Sequence, residues 1–277
     1  MKNQSLPKVK KRGIHLSRCS VMHYIKLTYR SLLLLAVLIS FIVNKVQKTG
    51  SEFGGLDENI FLLALVWGVF AVEMVLRMFP SRTESMGCEK QFAANYRSAG
   101  ETEPELQSPW RTFAVFAAWV ALNGVIGALY LIGVIDRGVM ILIALGYSVC
   151  DMVCILFFCP FQTWFMKNKC CTTCRIYNWD YAMMFTPFLF IRWWFTWSLL
   201  GLALVLLILW EVRFRTHPER YSEKTNESLR CINCQEKLCH HKKQLQRFLR
   251  TQKKFLQTQK DRIIDKGREL TFRKKKK

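Results

Sequence analysis

The chain has 277 residues, of which 51% are hydrophobic, and its 41 Lys and Arg against 20 Asp and Glu give a net charge of +21. So large an apolar fraction excludes a disordered basic protein, and the charge excludes an ordinary neutral soluble enzyme as the default. Both features fit a membrane protein whose apolar and basic residues occupy separate blocks. We therefore predict an all-α polytopic membrane helix bundle at 27–212, between a basic leader at 1–26 and a basic, Cys/His-containing tail at 213–277.

Five apolar stretches are long enough to cross a bilayer, which takes about 20 helical residues. The first could be a signal-peptide core, but its basic leader is long and Asn44–Gln47 lacks the small residues of a cleavage site. We therefore expect an uncleaved span there. The five predicted spans lie near 27–46, 60–79, 112–135, 138–158 and 193–212.

A sixth segment, 176–191, is ambiguous because it is short and contains Asn178, Asp180 and Pro187. It can be read as an interfacial helix, which gives five spans, or as a short sixth span. With six spans, all but four of the 41 Lys and Arg residues lie on one side, whereas with five the bias disappears. Basic residues accumulate on the cytoplasmic side of membrane proteins. The charge therefore favours six spans, with both termini cytoplasmic, in the plasma (inner) membrane.

Two cysteine-rich segments predict a metal site on the cytoplasmic face. A Cys-x-x-Cys spacing lets two thiolates bind one ion, and tetrahedral zinc takes four Cys or His ligands. The tail alone offers a complete set, and a split site of four cysteines from loop and tail is the alternative. Zinc or an iron–sulfur cluster is the expected cofactor. The candidate ligands are Cys170, Cys171, Cys174, Cys231, Cys234, Cys239 and His240.

Not every cysteine fits this pattern, and the thiols of both segments can also be read as binding nothing. Cys150 and Cys154 lie one turn apart in the fourth predicted span. We expect these two to pack as small hydrophobic side chains.

Ionisable residues inside the predicted spans mark a second candidate site. Glu73 and Arg77 are spaced so that they can pair on one helix face. Glu73 and Asp151 are each about 10 Å from the end of their span, so we expect them at similar depth beneath the cysteine loops. They are the candidate catalytic or ion-relay residues, and two structural contacts are the alternative.

The tail has the pattern of a basic amphipathic helix, with Leu245, Phe248, Leu249 and Leu256 at helical spacing. Anionic lipid headgroups are the nearest polyanion for a membrane-tethered tail, so lipid is favoured over nucleic acid. The expected lipid-binding residues are Lys242, Lys243, Arg247, Arg250, Lys253 and Lys254.

Three functions follow from these patterns. The first is a membrane-bound binding or redox module that holds a metal through the cysteines. The second is a membrane enzyme or ion-coupled carrier that uses Glu73 and Asp151, and the third is a membrane scaffold with a purely structural metal. Nucleotide-binding and hydrolase motifs are missing from the sequence, so no nucleotide cofactor is expected.

Overall fold

The computed structural model describes residues 18–47, 60–80, 86–168 and 170–230, all within the first of two compact units, Met1–Lys237. Over these ranges the fold is helical and contains no strand, which confirms the predicted helical class. The second unit and the end of the first lie outside the described residues. That region holds Cys231, Cys234, Cys239, His240 and the predicted lipid-binding residues Lys242, Lys243, Arg247, Arg250, Lys253 and Lys254.

Seven α-helices make up most of the described fold. Four of them, α1, α4, α5 and α7, are long and apolar enough to cross a membrane, and α2 is a shorter apolar helix. Together they occupy the five apolar stretches of the sequence. The helices are α1 Arg18–Gln47, α2 Ile60–Leu76, α3 Met86–Gln91, α4 Pro109–Leu131, α5 Arg137–Leu156, α6 Asp180–Met184 and α7 Trp194–Thr216.

The turn between α4 and α5 is defined by its residue types. Gly133 has a φ of 81°, a left-handed conformation that glycine adopts without strain at the end of a helix. Asp136 then caps α5 by accepting a hydrogen bond from the Val139 amide at 2.9 Å. Burial opposes the charged form of Asp136, but hydrogen bonds from Lys45 and Val139 prevail and lower the pKa of its carboxyl.

Contacts between helix termini define two ends of the described bundle. At one, called here the opposite end, Lys45 at the end of α1 pairs with Asp136 at 2.7 Å, and Arg137 stacks over Trp193. At the other, called here the thiol end, the Arg213 side chain of α7 donates to the Met78 carbonyl at 2.9 Å. The thiol end also holds the loop that carries Cys174.

The ambiguous segment forms three short helical pieces instead of one long helix. They are Tyr177–Trp179, α6 and Thr186–Phe190. Phe185 and Phe188 are buried in the core, and Phe185 meets Phe70 of α2 edge to face at 5.5 Å. Gly127 of α4 leaves the space that the Phe190 ring fills. These aromatic side chains therefore join the broken segment to the long helices around it.

Candidate functional site

A buried arginine links the two carboxylates singled out in the sequence. Arg30 of α1 is fully buried and donates to Glu73 at 2.7 Å, to Asp151 at 3.4 Å and to the Ser148 carbonyl at 3.1 Å. Glu73 and Asp151 are therefore close neighbours around one cation. The sequence pattern does not single out Arg30, because Arg30 is one of several basic residues near the start of the first predicted span.

Glu73 is held by four groups. The Tyr29 hydroxyl donates to one carboxylate oxygen at 2.5 Å, and the Tyr181 hydroxyl donates to the other at 2.9 Å. Arg30 donates to the second oxygen, and the Lys26 ammonium lies 3.5 Å from the first. Both oxygens are thus occupied by donors, so Glu73 serves to compensate Arg30 and Lys26.

Arg77 has a different partner from the one expected. Its guanidinium pairs with Asp180 of α6 and stacks against the rings of Tyr177 and Tyr181 at 5.4 and 5.3 Å. Arg77 still lies one turn after Glu73, because its amide donates to the Glu73 carbonyl at 3.1 Å, but the Glu73 carboxylate is already held by Arg30 and Lys26. Two cation–carboxylate pairs, Arg30–Glu73 and Arg77–Asp180, therefore flank Tyr181.

A cavity of about 250 Å³ lies between α4, α5, α6 and the loop after α5. Its wall is mainly apolar and aromatic, with Trp119, Tyr147 and Phe161 around it, and it contains the carboxylates Asp151 and Asp180. Five thiols complete the wall: Cys150, Cys154, Cys159, Cys171 and Cys174. We call this space the thiol cavity.

Two of these thiols are neighbours in the cavity wall. Cys154, near the end of α5, interacts electrostatically with Cys159, which follows the helix. Asp151 precedes Cys154 by one helical turn and lines the same cavity. The sequence pattern predicts only packing for Cys154, because the spacing of the cysteines does not show how the chain runs after α5.

The loop thiols Cys171 and Cys174 have different surroundings. The Cys171 thiol donates to the Gln162 side-chain oxygen at 2.8 Å. Cys174 is buried, and burial raises the pKa of its thiol to about 12. Among the cysteines that the structure describes, neither these two nor Cys150, Cys154, Cys159 and Cys170 form a disulfide.

The described part of the predicted metal set is only partly assembled. Cys171 and Cys174 share the thiol cavity, whereas Cys170 contacts the Thr172 hydroxyl at 3.1 Å and is absent from the cavity wall. Within the described ranges no three His, Cys, Asp or Glu side chains are arranged to hold a metal ion. The tail cysteines and His240 of the predicted set lie outside those ranges.

No protein-family model, curated protein or solved structure matches this chain. A proposal for its function therefore rests on the residues that line the thiol cavity and on the ion pairs of Arg30 with Glu73 and Asp151.

Proposed function

We propose that the chain crosses the membrane six times and that the broken segment 177–190 is the fifth crossing. Cys174 precedes this segment at the thiol end, and Trp193 follows it beside Arg137 at the opposite end. Between them, Tyr181 bonds to Glu73. The contacts support a chain that passes from one end to the other through short helical pieces, in which every residue except Leu189 is buried or half-buried.

We further propose that the thiol end is cytoplasmic, in the plasma (inner) membrane. The supporting observation is that the opposite end carries few basic residues, whereas the leader, the loops at the thiol end and the tail carry most of the 41. The tail then lies on the same side as the loop cysteines and beside anionic headgroups, as its basic pattern suggests.

As the function of this bundle we propose a thiol redox module, in which Cys154 and Cys159 form a reversible disulfide. The observation that carries the proposal is that these two thiols line one cavity together with Asp151, where they interact electrostatically with each other. Because the cavity is apolar and lies within the helices, we propose a lipid-soluble quinone as the oxidant.

The proposed reaction is balanced over two electrons and two protons. Asp151 accepts the proton of Cys154, since the thiolate and not the thiol is the reactive form. The Cys154 thiolate adds to a ring carbon of the quinone and forms a C–S bond. The Cys159 sulfur then attacks the Cys154 sulfur, so that the S–S bond forms, the C–S bond breaks and its electron pair stays on the quinone ring. The quinone leaves as the quinol with both thiol protons, one of them returned through Asp151. Arg30 orients the Asp151 carboxylate throughout.

Oxidation of the full-length protein by a short-chain quinone tests this function. Reduced protein in neutral detergent is mixed with the quinone without oxygen, and the peptides are mapped by mass spectrometry. We expect a Cys154–Cys159 disulfide and one quinol per protein. Cys154→Ser should abolish both, whereas the matched variant Cys150→Ser, in the same wall, should retain both. Quinol formation that survives Cys154→Ser would overturn the proposal.

Asp151→Asn tests the proton transfer separately. We expect the oxidation rate to fall about 100-fold at neutral pH, the usual size of a lost general base. The rate of this variant should recover as the pH rises, because hydroxide then removes the thiol proton. A variant equally slow at every pH would assign Asp151 a structural role only.

Zinc or an iron–sulfur cluster in the tail remains a separate proposal. It rests on the spacing of Cys231, Cys234, Cys239 and His240. Elemental analysis of the purified chain checks it: about one zinc, or iron with matching sulfide, is expected. Metal-free, folded protein would eliminate this site and leave the thiol cavity as the redox centre. Loss of metal in Cys231→Ser with quinol formation intact would show two independent sites.

The described contacts give less support to the other two functions, a membrane enzyme or ion-coupled carrier and a membrane scaffold. A carrier would have only Asp151 of the two predicted carboxylates available, because Glu73 already has four partners. A scaffold would leave unexplained why five thiols line one cavity.

A further inference from the structure

A second cavity, of about 410 Å³, lies at the thiol end and is more polar than the first. The first turn of α4, the loop from Met166 to Arg175 and the chain after α7 form its walls. Cys174 contributes to this cavity and to the thiol cavity, so the two spaces are neighbours. We call the second one the polar cavity.

Four cations and two carboxylates line the polar cavity. Two of the cations are neutralised: Arg175 pairs with Glu211, and Lys224 lies 3.1 Å from Glu105. The hydrogen bond and charge of Glu105 raise the pKa of Lys224, so its positive charge is held in this pair. These pairs form part of the wall and add little net charge.

The other two cations are Arg111 and Lys167. The Arg111 guanidinium donates to the Met166 carbonyl at 3.3 Å, next to Lys167 in the chain. Across the residues that the structure describes, neither Arg111 nor Lys167 forms an ion pair. Two positive side chains therefore lie on one part of the wall. The second lining carboxylate, Glu223, belongs to the chain after α7.

The backbone around this pair is fixed. Lys167 has a φ of 50°, a left-handed conformation that few residues other than glycine adopt. The next residue, Asn168, anchors the turn by donating from its amide to the Gln162 carbonyl at 3.0 Å and from its side chain to the Cys170 carbonyl at 2.9 Å. The turn thus holds Lys167 beside Arg111 before any ligand binds.

The start of α4 adds positive potential to the same place. Ser108 is the N-cap of this 23-residue helix but makes no capping hydrogen bond through its side chain. Ser108 and Arg111 both line the polar cavity. The helix dipole at an N-terminus favours anions, and here it reinforces the two cations.

The position of the cavity restricts the class of anion. Trp110, adjacent to Arg111, is 72% exposed, and exposed tryptophans at helix ends are typical of the membrane–water interface. We infer that the polar cavity binds a phosphate group through Arg111 and Lys167, carried either by an anionic phospholipid headgroup or by a soluble phosphate ester. This inference does not depend on the redox function or on the tail.

Calorimetric titration of the full-length chain in neutral detergent tests the inference. The probes are dihexanoyl phosphatidylglycerol, sn-glycerol 3-phosphate and zwitterionic dihexanoyl phosphatidylcholine, all below micelle-forming concentration. We expect saturable binding of at least one anionic probe and weaker binding of phosphatidylcholine. If both anionic probes bind alike, the ligand is a soluble phosphate ester; if only phosphatidylglycerol binds, it is a lipid headgroup.

Variants decide whether the bound phosphate occupies this cavity. Arg111→Gln with Lys167→Gln should weaken anionic binding at least tenfold, about the effect of one lost charge-assisted hydrogen bond. Arg97→Gln removes an exposed cation outside the cavity and should change nothing. Arg111→Lys with Lys167→Arg keeps both charges and should retain binding, which separates charge loss from misfolding. Anionic binding unchanged by the Gln pair, or no saturable binding, would overturn the inference.

Discussion

At the scale of single residues, Arg30 determines how charge is arranged inside the bundle. It is fully buried, and its charge is compensated by Glu73 and Asp151 from two other helices. A buried ion pair contributes modest net stability, but removal of one partner leaves an uncompensated charge, which is costly. The network is therefore sensitive to any neutral substitution.

Glu73→Gln is expected to destabilise the fold by about 3–5 kcal/mol, the usual cost of breaking a buried pair. Thermal or denaturant unfolding in detergent measures this change. The matched control is Asp136→Asn, which breaks the exposed Lys45 pair, keeps a capping side chain and should cost less than about 1 kcal/mol. Equal effects of the two variants would contradict the role assigned to Glu73.

Cys174 gives a second residue-scale prediction. With its thiol buried and its pKa near 12, only about one molecule in 10,000 carries the thiolate at pH 8. Cys174 should thus resist a water-soluble alkylating reagent in folded protein and react once the protein is unfolded. Thr102→Cys, on an exposed loop, is the control and should react in both states. Peptide-resolved mass spectrometry separates the sites; rapid labelling of folded Cys174 would contradict its burial.

The sequence predicted the residue-scale site only in part. The helical rise per residue predicts similar depths for Glu73 and Asp151, because each lies about the same number of residues from the end of its span. Arg30, Tyr181 and Asp180 join them through contacts between distant segments, which no spacing reveals. Sequence spacing also does not reveal that Cys154 and Cys159 share one cavity wall, because this depends on the path of the chain after α5.

At the scale of elements, hydrophobic runs predict the long helices well and the broken segment poorly. The predicted span near 138–158 and the observed α5, Arg137–Leu156, differ by two residues at most. The segment from Tyr177 to Phe190 instead takes its shape from Pro187 and from aromatic side chains that fill gaps between helices. Such packing is a property of the assembled bundle and not of local sequence.

Gly127 tests how α4 packs on this segment. A Cβ atom there would lie 2.2 Å from the Phe190 ring, whereas one at Gly124, in the same helix, would meet nothing within 4 Å. Gly127→Val should therefore destabilise the protein by about 1–3 kcal/mol more than Gly124→Val, which has the same helix propensity. Unfolding of both variants in one detergent gives the comparison, and identical values would contradict the contact.

At the scale of the whole molecule, the number of crossings determines which groups can meet. Thr102 precedes α4, and Thr216 ends α7. With six crossings both lie on the cytoplasmic side; with five they lie on opposite sides. Thr102→Cys and Thr216→Cys should thus both be labelled by an impermeant maleimide only after cell lysis. Labelling of Thr216→Cys on intact cells would contradict six crossings.

The most direct measurement of the central claim is the disulfide yield per quinol in the reduced, full-length protein. The redox account predicts equal amounts of the Cys154–Cys159 disulfide and quinol, with Cys150, Cys171 and Cys174 still reduced. Quinol without this disulfide, or no quinol from fully reduced and folded protein, would contradict it.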